Sequence, residues 1–87
     1  MRLIFGSGFK KKVKKLPKKI KQILALRLRL FADKPFDPLL NNHRLHGIHR
    51  HQRSINITGD WRVIHERIDD NTSHLIDIDT HSNLYSE

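Results

Sequence analysis

Eighty-seven residues, 37% of them apolar and 30% charged, make one small domain spanning 1–87: so short a chain cannot bury two cores, and one this rich in Ile and Leu is not a disordered polymer. Cysteine is absent, which excludes disulfides, thiolate metal sites and a thiol nucleophile, and leaves any metal ligand or nucleophile to come from His, Asp, Glu, Ser, Thr or Tyr. The formal charge of +8 is laid unevenly, with eleven Lys or Arg and no acid in residues 1–32, then six bases against nine acids in the rest.

A cation this dense attracts polyanions by counterion release, so RNA, DNA, an anionic membrane and an acidic protein are all fitting partners. No apolar run approaches the roughly 20 residues of a membrane span. The opening MRLIFGSGFKKK puts its charges after a short apolar stretch, the reverse of a signal peptide, and a cytoplasmic chain is expected.

In chain order, RLIF at 2–5 is a short apolar run closed by Gly6, Ser7 and Gly8, a strand and a turn. Phe9, Val13 and Leu16 then recur at helical spacing, with Ser7 or Gly8 as cap and lysine on the other faces, until Pro17 stops them. A second helix follows, with Ile20, Ile23, Leu24, Arg27, Leu28 and Phe31 on one face, as far as Asp33, Lys34 and Pro35. Within it LALRLRL at 24–30 alternates like a strand, but Leu, Ala and Arg favour a helix and no β-branched residue follows Ile23 in the run.

A Pro-, Asn- and His-rich loop is expected over 35–47. Three strands come next: 53–58, with Ile55 and Ile57 on one face; 61–68, after a tight turn at Gly59 and Asp60; and 74–80, with Leu75 opposite in phase to Ile76 and Ile78. Residues 81–87 read as a tail. The expected fold class is α+β: two basic helices on one face of a small antiparallel sheet, in the order β-α-α-β-β-β.

This order, together with NNHRLHG at 41–47, RSINITGDWRVIHERIDD at 53–70 and IDTHSNLY at 78–85, resembles the RelE/ParE/YafQ superfamily of bacterial toxins from type II toxin–antitoxin modules. The likeness covers the whole chain, including the basic opening GFKKKVKKLPKKI. It implies a RelE-like fold and an endoribonuclease that cleaves mRNA, in many members on the ribosome, and that a cognate antitoxin holds inactive. The superfamily also contains gyrase-inhibiting toxins, so a ParE-like or purely nucleic-acid-binding protein is the alternative.

Position by position, the resemblance assigns catalytic roles to His43, Asp60, Arg62, His81 and Tyr85. Asn56 stands where the YafQ-like branch has another histidine, and His65 and Asp79 stand where a tyrosine and a glycine are expected. Asp37 is a weaker acidic candidate.

Those residue types suit the chemistry. Cleaving RNA without a metal takes a base for the 2′-hydroxyl proton, a cation for the phosphate and an acid for the leaving 5′ oxygen. Histidine supplies the first and last near neutral pH, an arginine fork the second, and an aromatic ring a platform for a base. Lys10, Lys11, Lys14, Lys15, Lys18 and Arg53 are the expected RNA or ribosome contacts, with Arg53 or Arg50 adding charge beside Arg62 from the neighbouring strand.

Plainer roles stand beside these. Asp60 is also ordinary turn chemistry next to Gly59, Arg62 an exposed cross-strand partner for Glu66 or Asp77, and Trp61 a core residue rather than a platform. His43, His46, His49 and His51 are spaced closely enough to bind metal, but no carboxylate or thiol is spaced to complete a site, so neither metal nor cofactor is expected.

Overall fold

The computed structural model describes residues 1–85, with the side chains of Ile48 and Tyr85 outside that description. Strand β1 (Arg2–Phe5) leads into helices α1 (Ser7–Lys14) and α2 (Lys18–Asp33). There follow β2 (His43–Arg44), β3 (Arg53–Asn56), β4 (Trp61–Asp69), β5 (Thr72–Thr80) and a terminal helix α3 (His81–Tyr85). The strands form one sheet in the order β1-β5-β4-β3-β2.

The α+β architecture is as read, with three corrections. The sheet is mixed: β1 pairs parallel with β5, Arg2 opposite Thr72 through Phe5 opposite Leu75, a pairing open to it because helices separate it from the other strands. The expected loop over 35–47 contains β2, whose two residues are too few to show a period. The expected tail begins with α3, capped by Thr80, whose Oγ1 accepts the Asn83 N–H at 3.3 Å.

The alternating stretch of α2 is helical, and helical spacing buries Leu24 and Phe31 while turning Leu26 outward, 62% exposed. Leu24 and Phe31 join Phe9 and Leu16 against Ile55, Val63, Leu75 and Ile78 to form the core. Trp61 packs against its margin. Burial of each large side chain is worth about 1.5–3 kcal/mol.

Leu75 and Ile78 are both fully buried although strict alternation would put them on opposite faces. A register shift between Ile64 and His65 explains this: His65 pairs with Leu75 and Ile64 with Asp77, so Ile76 is the extra residue of a bulge. The phase expected for residues 75–78 is corrected accordingly.

Strand β1 stops at Phe5 and α1 takes its place beside the rest of β5, with Lys12 reaching Asp77 and Asp79. The handover needs a glycine. Gly6 N–H donates to the Leu75 carbonyl at 2.9 Å, and a Cβ on Gly6 would sit 2.8 Å from that oxygen and 2.9 Å from His74 Nε2. Gly6→Ala is therefore expected to pry β1 from β5 and cost about 1–3 kcal/mol, read as a lowered urea midpoint. An unchanged midpoint would mean the backbone yields freely. No helix among the described residues is long and apolar enough to cross a membrane.

Candidate functional site

The face of the sheet away from the core carries two cross-strand rows, polar except for Ile64. His43, Ser54, Ile64 and Asp77 are cross-strand neighbours in one, and Asn56, Arg62 and Asp79 in the next, two residues along each strand or about 7 Å away. Ser54 Oγ and Asn56 Oδ1 are shielded from solvent without a hydrogen-bond partner, which marks this face as one whose polar groups the fold leaves unsatisfied.

The turn over residues 57–60 brings three of the expected groups together. Thr58 Oγ1 accepts the N–H groups of Asp60 and Trp61 at 3.2 and 3.0 Å, which sets the turn. The Asp60 carbonyl accepts the His81 N–H at 2.7 Å, joining the β3–β4 turn to the start of α3. Arg62 lies opposite Asp79, and its guanidinium bends onto the carbonyls of Thr58 and Trp61 at 2.9 and 3.2 Å rather than pairing with Glu66 or Asp77.

The start of α3 is fixed from behind by Asp79, which accepts from Asn83 Nδ2 at 2.9 Å, from the Thr80 N–H at 2.8 Å and from Lys12 Nζ at 3.1 Å. The Asn83 bond foremost, with the Thr80 and Lys12 contacts, holds the Asp79 carboxyl below the ordinary range, while Asp77 foremost raises Lys12. The pairing of Lys12 with Asp77 and Asp79 spans more than 60 residues of sequence and has no local signal. The signal for the cap was the Thr80-His-Ser-Asn83 pattern, in which a threonine hydroxyl can reach the third residue on.

His43 is exposed on β2, its Nδ1 2.8 Å from the Asn41 carbonyl. A carbonyl only accepts, so Nδ1 carries the proton and Nε2 presents its lone pair outward. Asn41 holds that position from a left-handed conformation, φ 44°. Asp37 is a cap, its Oδ1 accepting the Leu39 N–H at 2.9 Å.

Tyr85 closes α3, and its ring lies outside the described residues. His46 and His49 line a cavity of about 390 Å³ with Ile64, Ile76 and Asp77, partly covered by Leu84. Among the described residues no three His, Asp or Glu side chains are grouped as metal ligands would be.

Arg53 departs from expectation. It pairs with Arg44 and with His65, so it points to the core side of the sheet and not toward Arg62. Of the lysines, Lys12 is spent on Asp77 and Asp79, Lys10 and Lys14 border an apolar groove between α1 and α2, and Lys11, Lys15 and Lys18 are exposed.

Residues 1–86 match the family described as the bacterial toxin of type II toxin–antitoxin system, YafQ. The chain belongs to the YafQ toxin family.

Solved structures show the same fold. YafQ from E. coli strain BL21(DE3) matches with a TM-score of 0.79 at 20% identity, over 98% of this chain and 99% of that one. A conserved protein of Helicobacter pylori matches at 0.76 and 23%, over 98% and 99%. YafQ in the E. coli DinJ–YafQ toxin–antitoxin complex matches at 0.76 and 21%, over 95% and 94%. No curated protein matches by sequence. In this YafQ-family toxin the cross-strand rows and the Asp60–His81 join lie on the face of the sheet opposite the core.

Proposed function

We propose that this toxin is an endoribonuclease that cleaves mRNA on the ribosome. Support comes from the backbone bond between Asp60 and His81, which brings these two residues and Arg62 to one turn on the face of the sheet away from the core. Here a base removes the 2′-hydroxyl proton, O2′ attacks the adjacent phosphorus, and the P–O5′ bond breaks as an acid protonates the leaving oxygen. The products are a 2′,3′-cyclic phosphate and a 5′-hydroxyl.

His43, whose Nε2 is the free acceptor, is the base, and His81 is the acid. Arg62 holds the phosphate oxygens with the part of its fork that Thr58 and Trp61 do not engage, and Asp60 orients His81. Tyr85 holds the target nucleotide, and the exposed lysines of α1 and α2 lie against ribosomal RNA. An asparagine such as Asn56 moves no proton at neutral pH, so two histidines carry the proton transfers.

A translation reaction on a defined mRNA, read by primer extension, tests this. Cuts in codon register are the expected result. Intact mRNA with growth arrest retained would move the target to DNA gyrase.

YafQ of E. coli is held with DinJ as toxin with antitoxin, and we infer a cognate antitoxin here too. The groove of about 620 Å³ between α1 and α2 is floored by Phe9, Val13, Leu24 and Leu28 and edged by Lys10, Lys14, Lys21 and Arg29, a shape that suits an acidic amphipathic segment. Leu28→Glu is expected to weaken antitoxin binding by about tenfold or more. Wild-type affinity should also fall as salt rises from about 0.1 to 1 M, where the screening length drops from ~10 to ~3 Å. Binding indifferent to both would place the antitoxin elsewhere.

A further inference from the structure

On the core side of the sheet, beyond the end of α2, lies a second cavity of about 340 Å³, the size of a small-ligand site. Arg44 and Arg53 stand directly opposite each other on β2 and β3, an arrangement that costs stability between like charges. Arg50 and Arg67 line the same cavity. The one carboxylate among its described lining residues, Asp70, is fully exposed and pairs with Arg67 at 2.9 Å, so Arg44, Arg50 and Arg53 face one another without a neutralising acid.

The cluster is built rather than incidental. Arg53 Nε donates to Asn42 Oδ1 at 2.8 Å and its Nη2 to the Asn42 carbonyl at 3.2 Å, while Asn42 Nδ2 donates to the Pro35 carbonyl at 2.9 Å. The guanidinium so fixed lies over the ring of Phe36, 5.4 Å from its centroid. Phe36 is 68% exposed, an aromatic face beside a fixed arginine fork. Behind them His65 is buried against Phe31 and shares the Asn42 oxygen, its Nε2 3.3 Å away.

A fork held in place, two further guanidiniums and an open ring are the elements by which proteins grip the phosphate and stack the base of a single strand. We propose that this cavity is a second nucleotide site, binding a phosphodiester of single-stranded RNA on Arg44, Arg50 and Arg53 with the adjoining base on Phe36, behind the sheet from the face that carries His43 and His81. The bound phosphate relieves the repulsion between Arg44 and Arg53. Because β2 is an edge strand, the RNA can continue past the site in either direction. The site operates whether or not the other face cuts RNA.

NMR titration of the full chain with a 2′-O-methyl tetraribonucleotide, which cannot undergo 2′-hydroxyl attack, tests the proposal through the arginine Nε–H and Phe36 ring signals. Saturable shifts at Arg44, Arg50, Arg53 and Phe36 are expected. The dependence of log affinity on log salt should become shallower by about 0.7 in the Arg44→Ser, Arg50→Ser double variant, the share of the one single-strand phosphate that the site neutralises. Phe36→Ser should weaken binding about fivefold or more. All three positions are exposed, and the dispersion of the core amide signals checks that the fold is kept.

Three results would overturn it. The oligonucleotide could shift only α1, α2 and the His81 end. Inorganic phosphate could match it with Phe36→Ser without effect, leaving a simple anion site. A polyglutamate peptide could bind there more tightly, making the surface a protein contact.

Discussion

His81→Ala is expected to lower mRNA cleavage by about 10²–10⁴-fold, the range for loss of a general acid or base, while leaving the fold intact. The bond that joins the start of α3 to Asp60 uses the His81 backbone N–H, which alanine keeps. The same primer-extension assay reads the effect, with urea unfolding as the control. Full cleavage by a folded His81→Ala variant would remove His81 from the chemistry.

Arg62→Lys separates charge from geometry. It retains the cation but loses the planar fork that spans the turn carbonyls and the phosphate, so most activity should go with it. Activity close to wild type would assign Arg62 to the turn alone.

The second large effect is on stability and concerns acid. His65 is 3% exposed and accepts from Ser73 Oγ at its Nδ1, 3.0 Å away, while Nε2 donates to Asn42 Oδ1. Burial first, then the Arg53 guanidinium, lowers its pKa from 6.5 to about 4. Unfolding releases the imidazole to its ordinary value, so below pH 6.5 the unfolded chain takes up a proton that the folded one refuses.

Stability is therefore full above about pH 6.5 and is lost as pH falls from there toward 4, by about 3 kcal/mol across the window. Urea midpoints of wild type and His65→Phe over pH 4–7 read this directly. The variant removes the titrating ring and leaves the Asn42 oxygen bonded to Arg53, so its midpoint should vary far less. Parallel curves would show that His65 is neutral at no cost. Asp79 acts lower: its depressed carboxyl contributes stability above its ordinary value of 3.8 that is lost as pH falls below it, which separates the two windows.

Much of this was readable from local pattern. Helical spacing of Phe9, Val13 and Leu16 and of Leu24, Leu28 and Phe31 called both long helices, because each turn repeats a few residues away. The β3–β4 hairpin and β5 followed from alternation and from turn residues. What escaped had no local period: a two-residue strand, a five-residue helix, and the parallel partner of β1, which lies some 70 residues away in sequence.

The candidate site divides in the same way. The sequence by itself determined which groups are present: a cationic first third, histidines and an arginine of the right chemistry, and no thiol. Which of them share a face was decided only by tertiary structure, because side-chain direction in a sheet depends on register. A two-residue turn at Gly59 and Asp60 would set Ile57 opposite Arg62 and put Arg53 and Arg62 on one face.

The longer turn that Thr58 holds sets Asn56 opposite Arg62 instead. That shift of one residue sends Arg53 to the far side with Arg44, and leaves Arg62 beside Asp60 and His81. Such a shift changes no residue and no local propensity, only the length of a turn, and so it is visible only once the strands are paired.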